Sequence, residues 1–175
     1  MLPPDEPMGT VACTVNGRAV SGRAPLRQTL VEWLRADLGL TGSHVGCAHG
    51  VCGACHVRLD GAVVRGCLVL AVQADGAAVE TIEAATGPEI TALQAEFVRH
   101  AALQCGFCTP GMLLQAAELL RQDSTPTREA IREALSGNYC RCTGYQPIID
   151  AVQAAAAVLQ PGSTSSVATP RQSIS

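Results

Sequence analysis

The sequence predicts an α+β fold in two parts, a strand-rich first half and a helical second half. Three observations predict it. The two-residue turn signals Asn16-Gly17 and Asp60-Gly61 each sit between short runs of strand character. From Glu89 onward the apolar spacing becomes helical, and Thr or Pro stands where helices would open. Eight of the nine cysteines fall into two tight groups, one in each half.

The elements follow in order. Residues 1–9 read as a flexible leader. Val11, Cys13 and Val15 alternate with small or polar residues, which predicts a half-buried strand. Asn16-Gly17 turns the chain back through Arg18–Ser21. Thr29 caps a helix to Leu38, with Leu30, Trp33, Leu34 and Leu38 on one stripe and Gly39 as its stop. Thr41–Ala54 is loop. A second hairpin runs Cys55–Leu59, Asp60-Gly61, Ala62–Arg65, and short strands are expected at Cys67–Val72 and Val79–Ile82. Gly87-Pro88 marks the boundary between halves. Four helices are expected beyond it: Thr91–Leu103, Thr109-Pro110 to Arg121, Thr127 to Leu135, and Pro147 to Leu159. The expected domains are 10–86 and 87–160, followed by a disordered Ser/Thr-rich tail at 161–175.

Composition narrows the function. Apolar residues make up 47 %, enough for a core, but aromatics are only 3 %, so Ala, Val, Leu and Ile must build it. The net charge is −3 and no basic patch stands out, which argues against nucleic-acid binding. No apolar run reaches the roughly 18 residues of a membrane span. The N-terminus, with three prolines and two acids in its first ten residues, does not resemble a signal peptide. A cytoplasmic, reducing location is expected, where cysteines serve as metal ligands more readily than as disulfides.

The first group reads Cys47-x4-Cys52-x2-Cys55-x11-Cys67, the spacing of a plant-type [2Fe–2S] site. Three ligands within nine residues must come from a wrapping loop. Gly46, Gly50 and Gly53 offer the positive-φ freedom for it and let backbone N–H groups approach the sulfurs. Structural zinc also accepts four thiolates, though it favours paired short knuckles. His44, His49 and His56 lie close by and read as surface loop residues. The second group reads Cys105-x2-Cys108-x31-Cys140-x1-Cys142. Two helix ends would present these four sulfurs to one point, and the helix opening after Cys108 would favour its thiolate. Taken alone, this second spacing leaves zinc and a redox dithiol as rivals. Cys13, left over in an apolar strand, reads as a small buried hydrophobe.

Three stretches carry a resemblance: Gly46-Cys47-Ala48-His49-Gly50-Val51-Cys52-Gly53-Ala54-Cys55, Gln104-Cys105-Gly106-Phe107-Cys108-Thr109-Pro110-Gly111-Met112, and Leu135-Ser136-Gly137-Asn138-Tyr139-Cys140-Arg141-Cys142-Thr143-Gly144-Tyr145. They resemble the small iron–sulfur subunit of molybdenum hydroxylases, the xanthine oxidase, carbon monoxide dehydrogenase and aldehyde oxidoreductase family. The similarity covers about residues 10–160.

The resemblance implies an N-terminal β-grasp ferredoxin-like domain and a C-terminal four-helix bundle. Cys47, Cys52, Cys55 and Cys67 would hold one [2Fe–2S] cluster, and Cys105, Cys108, Cys140 and Cys142 a second. It also implies a large subunit with a molybdenum–pterin cytosine dinucleotide cofactor and a medium subunit with FAD, assembled as a dimer of heterotrimers. Electrons would run from molybdenum through the helical-domain cluster, then the ferredoxin-like cluster, to the flavin. By the same resemblance, no catalytic residue or substrate site would fall on this chain. By the same analogy Gln104 and Cys142 would lie at the large-subunit contact, near the pterin, and the Cys47 loop would face the flavin subunit. Two positions depart from the pattern: His56, usually threonine, and Ala48, often acidic. A free-standing ferredoxin-like carrier and a zinc-stabilised interaction module are the alternative functions.

Overall fold

The computed structural model describes residues 6–160. The first five residues of the expected leader and the whole expected tail, 161–175, lie outside the described residues. Strand β1 (Met8–Val15) begins inside the stretch expected as leader. It pairs antiparallel with β2 (Arg18–Pro25) through Asn16 and Gly17, both at positive φ, 52° and 75°. Val11, Cys13 and Val15 are buried and their neighbours Thr10, Ala12 and Thr14 are not, so the period of two holds.

Helix α1 (Leu30–Ala36) opens on a capping box. The Thr29 hydroxyl accepts the Glu32 N–H, and the Glu32 carboxylate accepts the Thr29 N–H at 2.9 Å. The helix stops short of Leu38, because the Asp37 and Leu38 N–H groups both turn back to the Trp33 carbonyl. Strands β3 (His56–Leu59) and β4 (Ala62–Arg65) form the second hairpin around Asp60 and Gly61. Strand β5 (Ala78–Glu80) slots between the hairpins, parallel to β1 and antiparallel to β3, giving the order β2-β1-β5-β3-β4. Leu30, Trp33 and Leu34 of α1 bury against Val11, Val15, Val57 and Val79 of this sheet.

Cys67–Val72 is not a strand. Leu70 makes one isolated bridge to Thr29, and a 3₁₀ turn follows at Ala71–Ala74. The Gln73 side chain takes the Leu70 N–H at 2.8 Å, while the Gln73 N–H binds the Leu70 carbonyl at 2.9 Å. These local bonds satisfy the groups a ladder would have used, and they bury Ala71 and Ala74.

Four helices make up the second half: α2 (Pro88–Arg99), α3 (Thr109–Gln122), α4 (Arg128–Ala134) and α5 (Gln146–Val158). Helix α2 starts three residues before the expected Thr91, because Pro88 occupies its first turn behind Gly87. It also ends before Leu103, where Ala101 takes a φ of 50°. Leu93, Phe97, Met112, Leu114, Ile131, Ile148 and Val152 share one core, separate from the one beneath the sheet. Ala151 and Ala155 are fully buried on α5, which packs closely on α2. Among the described residues, no helix is long and apolar enough to cross a membrane.

Replacing the buried Trp33 by Ala should cost about 3–5 kcal/mol of folding free energy. Thr29→Ala, which removes the cap alone, should cost about 1 kcal/mol. Urea unfolding followed by far-ultraviolet circular dichroism measures both.

Candidate metal centres

The loop before β3 gathers Cys47, Cys52 and Cys55, and the turn after β4 brings in Cys67. Cys55 and Cys67 bury together against Val31 of α1. Cys47 and Cys52 stand beside each other nearer the surface. The loop is shaped by backbone conformation: Ala48, Gly50 and Gly53 lie at φ of 55°, 84° and 68°. Gly46, expected to need the same freedom, does not use it. Its role is space, since a Cβ there would sit 3.1 Å from Cys52 Sγ and 3.4 Å from the Phe107 ring.

The second quartet comes from the loop before α3 and the loop between α4 and α5. Cys105 and Cys142 meet at 3.4 Å between sulfurs, and Cys108 lies beside Cys140. The Cys140 side chain also lies 3.2 Å from the Thr143 hydroxyl. Tyr145 braces this turn: its phenol oxygen accepts the Cys140 N–H at 2.9 Å and donates to the Asn138 carbonyl at 3.2 Å. Gln104 donates to the Cys142 carbonyl at 3.1 Å, so the two residues expected near the pterin are neighbours.

Each quartet therefore meets as two sulfur pairs, Cys47 with Cys52 and Cys55 with Cys67, then Cys105 with Cys142 and Cys108 with Cys140. Among the described residues, no three His, Cys, Asp or Glu side chains are placed to hold a single ion. A two-by-two donor set fits a group with two irons, each taking two thiolates.

The backbone supplies the electrostatics. Burial opposes ionisation of Cys47, yet the N–H groups of His49, Cys52 and Val51 and the Cys52 thiol hold its pKa at about 6. Cys105 is lowered by the Phe107 N–H and by Cys142. Cys140 is lowered too: burial works against it, but Thr143 and the Cys142 N–H outweigh that. Burial pushes Cys55 and Cys108 up to about 12, with Cys67 and Cys140 adding to it. For Cys108, the cap residue of α3, burial overrides the helix-dipole effect expected from the sequence. Cys13 is buried as expected, and burial, then Asp75, raises its pKa.

The two quartets share a tightly closed seam. The Tyr139 N–H donates to the Cys52 carbonyl at 2.9 Å. A Cβ on Gly111 would lie 2.2 Å from the Gly53 carbonyl oxygen, and one on Gly53 would lie 2.7 Å from the Gly137 carbonyl oxygen. Asn138, 2 % exposed, reaches the Gly53 carbonyl and the His56 ring at 3.5 and 3.4 Å. His56 is no surface histidine: it is 4 % exposed on β3, and burial lowers its pKa and keeps it neutral. His44 stacks on Phe107, centroids 4.6 Å apart, with its Nδ1 2.8 Å from the Phe107 carbonyl oxygen. His49 folds back on the Cys47 carbonyl.

Sequence reasoning quoted Gly111, Gly137, Asn138, Tyr139 and Tyr145 within the resembling stretches, and read Gly137 as a helix stop, but gave none of them a role in joining the two quartets. The cysteine spacing could not announce them, although all five flank the quartets.

In protein stripped of metal, Cys47 should be alkylated by iodoacetamide at pH 7, while Cys55 and Cys108 stay protonated and silent. The sign follows from a depressed pKa: the Cys47 thiolate persists below the ordinary thiol range and is lost as pH falls through about 6. Mass mapping of labelled thiols against pH reads it. Separately, Gly111→Ala should destabilise the chain by about 1–3 kcal/mol or more, since only backbone could yield. Thermal unfolding would show it.

Comparison with known proteins agrees with this geometry. Residues 13–85 match the 2Fe-2S iron-sulfur cluster binding domain, and residues 79–153 match the [2Fe-2S] binding domain. The nicotine 6-hydroxylase small subunit of Paenarthrobacter nicotinovorans is 54 % identical over 138 residues, 79 % of this chain and 84 % of that one. The caffeine dehydrogenase subunit gamma of Pseudomonas sp. (strain CBB1) is 48 % identical over 147 residues, 82 % of this chain and 88 % of its own length. Among solved structures, a chain of quinoline 2-oxidoreductase from Pseudomonas putida 86 superposes with a TM-score of 0.80 at 47 % identity, covering 86 % of this chain and 95 % of that chain. The aldehyde oxidoreductase of Desulfovibrio desulfuricans ATCC 27774 gives 0.78 at 44 % identity, covering 86 % of this chain but 17 % of that larger one. With two [2Fe–2S]-binding domains in series and relatives of matching length that serve as subunits of hydroxylases and dehydrogenases, this chain belongs to the small iron–sulfur subunits of the molybdenum hydroxylases.

Proposed function

We propose that this chain is the electron-transfer subunit of a heterotrimeric molybdenum hydroxylase. Cys47, Cys52, Cys55 and Cys67 hold one [2Fe–2S] cluster in a β-grasp domain spanning 10–86. Cys105, Cys108, Cys140 and Cys142 hold the other in a four-helix bundle spanning 87–160. The observation that carries this is the meeting of each quartet as two sulfur pairs on either side of one glycine-lined seam. When bound, a [2Fe–2S] group takes up and releases one electron. The chain's own part is to hold the thiolates, aim N–H groups at the sulfurs and keep the two sites close.

The partners are a large subunit with molybdenum–pterin cytosine dinucleotide and a medium subunit with FAD, in a cytoplasmic dimer of heterotrimers. The exposed Cys105, and Cys142 with Gln104 beside it, face the pterin side. The Cys47 loop, with Val45, Val51 and Leu68 exposed around it, faces the flavin side. The names of the relatives support such an assembly, since they are subunits of nicotine, caffeine and 6-hydroxypseudooxynicotine enzymes. An N-heterocycle or a related compound is therefore the substrate class to screen first on the whole complex.

Purified protein should carry about four irons and about four acid-labile sulfides per chain, and should bleach with dithionite. Colourless protein with zinc and no sulfide would end the proposal. Cys→Ser at 105, 108, 140 or 142 should leave both the Cys47 site and the flavin oxidised after substrate is added. Cys→Ser at 47, 52, 55 or 67 should stop reduction one step later, with the Cys105 site reduced. Normal flavin reduction in either set, read by rapid mixing, would contradict the proposed order.

A further inference from the structure

We propose that the Cys52 carbonyl and the Tyr139 amide form the electronic junction between the two quartets. The inference rests on the function proposed above, because it concerns how electrons cross from one site to the other.

Tyr139 immediately precedes Cys140, a member of the second quartet, and Cys52 belongs to the first. The 2.9 Å hydrogen bond between them makes a route of covalent bonds broken only once. From Cys140 Sγ it runs through its own Cβ, Cα and amide nitrogen to the carbonyl carbon and Cα of Tyr139. It then leaves by the Tyr139 N–H, enters the Cys52 carbonyl, and ends at Cys52 Sγ. Electronic coupling decays far less along covalent and hydrogen bonds than across a van der Waals gap, so this chain of bonds outweighs longer paths with several gaps.

The surrounding residues hold that one bond in place. Gly111 and Gly53 let the two backbones approach where no Cβ fits. Tyr145 pins both flanks of Tyr139, accepting from the Cys140 N–H and donating to the Asn138 carbonyl. Asn138 fills the space behind it, against Gly53 and His56. The competing contact joins the Cys47 loop to a different loop, the one before α3: the His44 ring stacks on Phe107 with its Nδ1 2.8 Å from the Phe107 carbonyl oxygen, but His44 stands three residues from Cys47, so that route crosses more bonds.

In the transfer, one electron leaves the group on Cys140 and one is gained by the group on Cys52. No bond forms or breaks, and the amide proton stays on the Tyr139 nitrogen. Tyr139, Tyr145, Asn138 and Gly111 are positioning residues that act through the two cysteines.

The test compares Tyr139→Pro, which deletes the N–H, with Tyr139→Ala, which keeps it and removes the ring. Cluster-loaded complex is reduced by a light flash with deazaflavin, and the redistribution of one electron between the two EPR signals is followed by freeze-quench. Y139P should transfer several-fold more slowly than Y139A, with the g-values and potentials of both clusters unchanged. Equal rates in the two variants would overturn the junction, as would a matching slowdown in His44→Ala. Should Y139P fail to load either cluster, the unmodified complex decides. Fully reduced with dithionite, it should show exchange splitting between the two EPR signals, and the amide at residue 139 should resist hydrogen exchange. An unsplit pair of signals with a rapidly exchanging amide overturns the inference. An unmodified complex without two iron–sulfur signals fails at the earlier step, the proposed function itself.

Discussion

Everything in this structure depends on how closely two backbones can pass at Gly53 and Gly111. A methyl group at Gly111 would penetrate the opposite carbonyl oxygen, and one at Gly53 would strike Gly137 and Asn138. The strand-rich half and the helical half each own a separate apolar core, so hydrophobic burial within either would not fix their relation. Close contact does so instead, through a buried amide, a buried imidazole and one backbone hydrogen bond. Buried polar groups of this kind must be fully matched or they cost stability, which makes the relative placement of the halves specific.

The cysteines add a second layer. Four thiolates gathered at one site repel one another, and burial opposes their ionisation. The chain offsets this with main-chain N–H groups rather than with cations: Cys47 is served by three such groups and Cys105 by two, those of Phe107 and of Cys105 itself. The most buried members, Cys55 and Cys108, stay high because burial dominates there. Main-chain donors are fixed by the fold, so the polarity they impose on the sulfurs does not depend on side-chain rotamers.

Much of this was legible in the sequence, and the limits are physical. The cysteine spacings and the hairpin turns at Asn16-Gly17 and Asp60-Gly61 are local signals, and both hairpins and all five helices formed near their expected places. Cys67–Val72 misled because an unbroken run of apolar residues suits a bridge followed by a 3₁₀ turn as well as it suits a strand. Gly46 misled for a different reason: glycine serves both for φ and for space, and only the fold says which. His56 was read as a loop residue because a histidine beside a cysteine carries no sign of burial. Its neighbour Asn138 lies 82 positions away, beyond any local pattern.

The position of β2 at one margin of the sheet has a consequence for life inside a larger assembly. Among the described residues no strand pairs with its outer side, which leaves main-chain groups that a foreign strand could join. Arg18 and Arg23 stand exposed along it, Gly22 weakens it, and Pro25 withholds a donor at its end. Stacking chain upon chain along that border would bring like charges together across a poorly bonded ladder. A subunit built to be docked by other proteins thus discourages its own copies from polymerising.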